Sequence, residues 1–284
     1  MGNQTYIERL ERKYELAISQ SDLLAFCRDV GRHIPIHEFI VGQPTTHSST
    51  LYFDSEDFLL LRAGVLNRYD HIRIRARKYE YDSASLADAS DYWLELKVRN
   101  GDIRKKQRLK LDGRDFQKLL AGIDIERRVL DYNRAYTDLK ECCKLYREIQ
   151  ELIIDKGLKP LLLVSYKRAA FENEKQRLSL DWDIRYYHIR SSVFGYKCLK
   201  DFPERPAGYD PSLVLEFKYT DEFPSWMSDL QAKYPIWYRS SFSKLDRGMK
   251  ALLEGPLRHR PDSESLIEMM HAYKEKGWDL SGRP

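Results

Sequence analysis

Apolar and polar residues alternate along much of the chain with the period-two rhythm of half-buried strands. The pattern runs over Tyr6 to Ile18, Ser49 to Phe53, His71 to Tyr79, Tyr92 to Arg99, Ile103 to Leu111, Leu161 to Glu172, Gln176 to Trp182 and Leu213 to Tyr219. A fainter strand pattern covers Ser192 to Cys198. Asn100-Gly101 is the strongest hairpin signal, and Asn173-Glu174 marks a second hairpin. Helical periodicity fills the intervals: from a Ser21-Asp22 cap to about His33, a turn over Glu56 to Arg62, then Asp112 to Leu120 and Thr137 to Lys156. Further helices are predicted over Pro224 to Tyr234, Phe242 to Glu254 and Ser263 to Lys276. Strands outnumber helices and hairpins join neighbours. The expected fold is therefore α+β, an antiparallel β-barrel tunnel with helices packed outside, and not a doubly wound parallel sheet. Residues 1–254 read as the tunnel domain and 255–284 as a tail whose helix docks on the domain or on a partner.

The polar half of this alternation is unusually charged. Arg73 and Arg75 share a strand face with Arg77 beyond them, opposite Ile72 and Ile74. Glu95 and Lys97 share one face, and Arg104, Lys106, Arg108 and Lys110 line the returning strand. Glu11, Lys13 and Glu15 fall together, as do Tyr166 with Arg168, Arg177 with Ser179 and Asp181, and Glu216 with Lys218. On any one strand, a water-facing side explains such charges. Their recurrence in nearly every strand points elsewhere. With these faces turned inward, many cations would meet in a water-filled channel, where they would repel one another and destabilise the empty protein unless a polyanion neutralised them. Arg suits phosphate oxygens through two-point forks, and Lys adds point charge.

Composition narrows the candidates. The net charge is only +4, but the stretch from Arg62 to Lys118 carries 15 Lys and Arg against 9 Asp and Glu. That local surplus suits an anion site better than a nucleic-acid coat, so no specific nucleic acid is expected. The Trp237-Tyr238-Arg239 stretch resembles an aromatic nucleic-acid surface, although core or loop packing is commoner for such residues. No Gly-rich phosphate loop is present, so phosphates would be held by side chains. The longest apolar run, Leu161 to Val164, is far short of a membrane span, and no export signal follows Met1. Cys27, Cys142, Cys143 and Cys198 show no zinc-ligand spacing and read as reduced thiols, which leads to a cytoplasmic expectation.

Certain segments carry a family likeness: Glu11-Arg12-Lys13-Tyr14, Thr50 to Asp54, Ile72 to Arg75, Glu95-Leu96-Lys97, Lys106-Gln107-Arg108, Tyr166 to Phe171, Arg177 to Asp181, Leu215 to Lys218 and Phe242-Ser243-Lys244. In this order the sequence resembles the polyphosphate polymerase domain of the vacuolar transporter chaperone (VTC) family, a branch of the triphosphate tunnel metalloenzymes. The resemblance implies a basic tunnel for a triphosphate or longer phosphate chain, and a divalent metal, manganese or magnesium. It implies that Lys13, Arg73, Arg75, Lys106, Arg168, Arg177 and Lys244 grip phosphates at the catalytic centre. Glu11, Lys97, Arg108, Tyr166, Lys218 and Ser243 would assist binding, and Glu216 would carry the metal. The wider superfamily opens with Glu-x-Glu-x-Lys, whereas this chain has Glu11-x-Lys13-x-Glu15, as the VTC branch does at its Lys.

Each residue also has a plainer role. Glu216 could simply pair with a neighbouring Lys, Glu95 could orient Lys97, and Ser243 could cap a helix that exposes Lys244. Three functions stay open: a metal-dependent polymerase moving the terminal phosphoryl group of ATP onto polyphosphate, a tripolyphosphatase or nucleoside triphosphatase using water, and a polyphosphate-binding module. A tunnel rich in cations and poor in acids favours the first, because hydrolysis needs a base to position water. A separately encoded membrane partner would then receive the product.

Overall fold

A computed structural model describes residues 10–67, 70–81, 91–101, 103–190, 199, 202, 205–239 and 242–275. In chain order the elements are β1 (Leu10–Leu16), α1 (Gln20–Gly31), β2 (Thr45–Asp54), α2 (Leu59–Leu66), β3 (Asp70–Glu80), β4 (Tyr92–Asn100), β5 (Ile103–Leu111), α3 (Gly113–Leu120), α4 (Glu126–Asn133), α5 (Leu139–Asp155), β6 (Lys159–Glu172), β7 (Gln176–His188), β8 (Gly208–Asp210), β9 (Leu213–Tyr219), α6 (Ser225–Lys233), β10 (Ile236–Tyr238), α7 (Lys244–Glu254) and α8 (Ser263–Glu275). All ten strands form one antiparallel sheet in the order β10-β1-β9-β7-β6-β2-β3-β4-β5, with β8 added beside β7. The hairpin at Asn100-Gly101 joins β4 to β5, and Gly101 takes the left-handed conformation (φ 59°) that a Cβ would disfavour.

The outward apolar positions build two cores. Leu51, Ile74, Leu94, Leu96 and Leu109 pack against Phe116, Val129, Tyr146 and Ile149 of α3, α4 and α5. Tyr14, Leu178, Leu180, Leu215 and Phe217 pack against Phe26 of α1 and Met227 of α6. Each such buried side chain contributes roughly 1.5–3 kcal/mol relative to exposure, which fixes which face of every strand turns outward.

The inner face is divided. At one end Leu162, Val164, Ile184, Tyr186 and Val214 are apolar and lie under Leu61, Met249, Leu252 and Leu266 of α2, α7 and α8. Not every helix is therefore outside: these three cover one end of the inner face. The approach is close. A Cβ on Gly248 of α7 would lie 2.7 Å from a Leu162 methyl and 2.8 Å from the Tyr186 ring. The first turn of α7 touches strands far apart in the sheet. Lys244 Nζ lies 2.7 Å from Asp181 of β7, Asp246 lies 4.0 Å from Arg73 of β3, and Phe242 O accepts from Lys13 Nζ of β1 at 3.4 Å. The sheet is curled around this turn as a tunnel wall, but β5 and β10 remain edges, so backbone pairing does not close a barrel among the described residues.

Other departures from expectation have local causes. The β7 alternation does not stop at Trp182: a bulge at Asp183 (φ 54°) resets it and carries the strand to His188. The α1 cap is Ser19, whose Oγ accepts from Asp22 N–H, in place of Ser21. Helix α4 follows Ile125, which supplies no side-chain cap, and β8 and β10 are three residues each, too short for periodicity to reveal. Trp237 and Tyr238 form part of β10, which pairs with β1. The strand expected over Ser192 to Cys198 lies outside the described residues.

Candidate functional site in the tunnel

The cationic face is built by strand alternation on seven strands, β1, β9, β7, β6, β3, β4 and β5, with β2 lying between β6 and β3. On β3, Arg73, Arg75 and Arg77 point inward, because Ile74 and Ala76 are locked into the outer core. Register then sets their neighbours: Arg73 opposes Lys97, which opposes Lys106, and Arg75 opposes Glu95, which opposes Arg108. Glu95 is 1% exposed and holds two cations, with Arg75 Nε at 2.5 Å and Lys106 Nζ at 2.7 Å. Burial works against its charge, but Arg75, Arg77 and Lys106 outweigh it and hold the carboxyl far below the usual range. Arg77 donates to Thr50 Oγ1 of β2 at 3.1 Å. Its charge overcomes burial at Tyr79 and brings that hydroxyl down to about 8.

A second group spans β1, β9, β7 and β6. Arg168 and Asp181 form a two-point fork at 2.6 and 2.7 Å, and Lys244 reaches the same carboxylate. Tyr166 is buried beneath these cations, with Lys244 Nζ 4.7 Å and the Arg168 guanidinium 5.3 Å from its ring centre. Glu216 opposes Lys13 and Ser179 in register, while Lys218 Nζ lies 2.8 Å from Glu216 and 3.4 Å from Glu11. Lys13 also lies 3.4 Å from Glu11. At Glu216 the cost of burial is overcome by Lys218, Lys13 and Arg168, which keep the carboxylate ionised.

The structure thus brings Lys13, Arg168, Lys218, Lys244, Glu11, Glu216 and Tyr166 into one group, and Arg73, Arg75, Lys97, Lys106 and Arg108 into another. The two are joined through Arg77, whose charge is felt alongside that of Arg168 across β2. Arg177 sits in the same row as Lys218 but is engaged by Glu172 of β6. Ser243 caps α7, its Oγ accepting from Asp246 N–H at 3.3 Å, which aims Lys244 at Asp181. Lys97, like Arg77 and Arg108, has no carboxylate within ion-pair distance among the described residues, and Arg75, then burial, hold its ammonium pKa well below the usual lysine range.

One expectation is corrected. The tunnel is not poor in acids, and several of its cations are paired with them. Glu95 and Asp181 each neutralise two of them, because pairing offsets the desolvation that isolated charges would suffer. Sequence reasoning missed Asp181 and Arg77 as site residues, although both share a strand face with residues it named.

The acids suit a metal in one way only. No group of three or more His, Cys, Asp or Glu able to hold an ion occurs among the described residues. Glu216 has one oxygen, Oε1, on Lys218, whereas both oxygens of Glu11 are on lysines, so Glu216 alone of the two fits an ion that takes most of its ligands from phosphate oxygens and water, as magnesium commonly does.

A curled antiparallel sheet with a cationic enclosed face defines a tunnel protein. The chain belongs to the VTC domain family, whose model matches residues 8–253. Vacuolar transporter chaperone complex subunit 2 of Schizosaccharomyces pombe is 26% identical over 239 residues, covering 73% of this chain but 31% of that protein. The chain therefore spans about a third of that relative's length. Among solved structures, a Bacillus halodurans protein provisionally described as an adenylate cyclase aligns over 84% of this chain and 96% of its own, at 16% identity and TM-score 0.46. A Vibrio parahaemolyticus protein described in the same terms aligns over 79% of this chain and 83% of its own, at 12% identity and TM-score 0.35. No helix among the described residues is long and apolar enough to cross a membrane.

Proposed function

We propose that the chain is a metal-dependent polyphosphate polymerase that moves the terminal phosphoryl group of ATP onto a growing phosphate chain. The observation that carries this reading is the engagement of the acids. Glu95 and Asp181 have their oxygens taken by Arg75, Lys106, Arg168 and Lys244, which leaves neither free to position water as hydrolysis requires. Cations remain in surplus on the face. They would spread charge away from the transferred group, which is the main task of a phosphoryl-transfer site. A terminal oxygen of the acceptor chain forms the new O–P bond, the bond to the β-phosphate oxygen breaks, and ADP leaves. No side-chain nucleophile is needed.

In this reading Lys13, Arg168, Lys218 and Lys244 hold one stretch of phosphates, and Arg73, Arg75, Lys97, Lys106 and Arg108 hold another. Glu216 would hold a manganese or magnesium ion, which would supply positive charge to offset that of the phosphates. The protein works in the cytoplasm, and its product passes to a separately encoded membrane partner. The relative's name, a subunit of a transporter chaperone complex, supports that last step.

Incubation of the purified chain with ATP and either metal, with polyphosphate, free phosphate and ADP measured separately, tests the proposal. Polyphosphate formed in step with ADP supports it. Free phosphate in its place assigns a hydrolase, and binding without turnover assigns a polyphosphate-binding module.

A further inference from the structure

We propose that Trp93 is the floor of a nucleobase subsite in the tunnel, away from the end that α2, α7 and α8 cover, stacking the base of the donor nucleotide. The inference rests on the reading of ATP as donor. Trp93 lies on β4, two residues before Glu95, and therefore on the same inner face. Unlike Trp182 and Trp226, which pack into the core over α1 and α6, it belongs to none of the three hydrophobic clusters. Its register partners are Arg77 on β3 and Lys110 on β5.

Cations and a second aromatic surround the indole. The Arg108 guanidinium carbon is 4.2 Å and Lys110 Nζ is 5.0 Å from its ring centre. Tyr136 meets Trp93 edge-on at 6.3 Å, is 59% exposed, and has Lys110 Nζ 4.3 Å from its own ring. The group sits away from the covered end. Arg73 touches the first turn of α7, and Arg77, opposite Trp93, lies four residues further along β3, about 13 Å at strand rise.

A nucleotide needs this juxtaposition: a π-surface for the base, adjoining cations for the phosphates nearest the sugar, and a continuous cationic wall leading inward. Stacking on an aromatic tolerates any base but needs one, so it separates a nucleoside triphosphate from inorganic tripolyphosphate. Arg108 serves both, through cation–π contact with Trp93 and through its place beside Glu95 in the phosphate row.

The test compares ATP with tripolyphosphate on the full chain, in wild type, Trp93→Ala and Trp93→Phe. Trp93→Ala should weaken ATP binding about tenfold or more, in line with loss of one stacked base, and leave tripolyphosphate binding within about twofold. Trp93→Phe should keep most of the ATP affinity. In the wild type, ATP should quench an indole fluorescence component that tripolyphosphate leaves alone and that Trp93→Phe lacks; this readout survives if the alanine variant does not fold. An equal loss for both ligands would mean that Trp93 only holds Arg108 in place, and the subsite is overturned. Unchanged ATP affinity, or no selective quenching, overturns it too while leaving the polymerase reading intact. If the wild type binds tripolyphosphate but no ATP, the donor assignment itself fails and the subsite with it.

Discussion

Arg168 and Asp181 face each other across β6 and β7 and close a two-point fork, Nε to Oδ1 at 2.6 Å and Nη2 to Oδ2 at 2.7 Å. Lys244, at the start of α7, takes the same carboxylate at 2.7 Å. Asp181 is 1% exposed, so one buried acid ties the sheet to the helix that covers one end of the tunnel. Two expected phosphate ligands are thereby held in place before any substrate arrives.

Asp181→Asn keeps the shape but leaves both cations without a counter-charge. Breaking a buried pair from one side costs about 3–5 kcal/mol, and urea unfolding should show a loss of that order. Burial opposes the Asp181 charge, but Arg168 and Lys244 outweigh it and hold the carboxyl below the usual aspartate range. A depressed folded pKa contributes stability that is present above the unfolded value of about 3.9 and lost as pH falls through the folded one. The wild type should therefore lose stability below about pH 4, with a shallower acid slope in Asp181→Asn. Identical slopes would refute the pairing.

Replacing Arg73 and Arg75 together with Ala should weaken tripolyphosphate binding by roughly 1.5–3 kcal/mol for each charge-assisted contact removed. Relief of repulsion in the empty protein is not expected, because Arg75 is one of two cations on buried Glu95. Stripping it should cost about 1–3 kcal/mol of stability. Titration calorimetry at low salt and thermal unfolding measure the two effects, and unchanged affinity would remove both residues from the site.

Glu216→Gln separates the metal from the phosphates. Glu216 stands among Lys218, Lys13 and Arg168, so removing its charge leaves a more cationic wall. Metal-free tripolyphosphate binding should hold or tighten, while turnover with manganese or magnesium should be abolished. Full turnover in the variant would show that Glu216 carries no catalytic ion.

Lys97 makes anion binding pH-dependent. In the empty tunnel the charge of Arg75, and then burial, disfavour its ammonium form. A bound polyanion reverses the first effect, so binding should draw a proton from solution. Affinity should accordingly fall as pH rises between the pKa of Lys97 in the empty protein and its higher value in the complex. Calorimetry in two buffers of different ionisation enthalpy reads the uptake directly, and Lys97→Arg, charged at every pH, should abolish it. The same heat in both buffers for the wild type rules it out.

The strands and the direction each charged residue faces were legible in the sequence, because period-two alternation depends only on neighbours along the chain. Ile72, Ile74, Leu94 and Leu96 commit one face to the core, and Arg73, Arg75, Glu95 and Lys97 must then take the other. What that face does to its own charges was decided in three dimensions. Lys244 meets Asp181 across 63 residues of chain, and Arg75 meets Glu95 through strand register. The bulge at Asp183 turns Ile184 and Tyr186 inward beneath α7. Alternation says which way a side chain points but not what it meets there. The strength of an ion pair depends on separation and desolvation, and both are set by how distant segments pack.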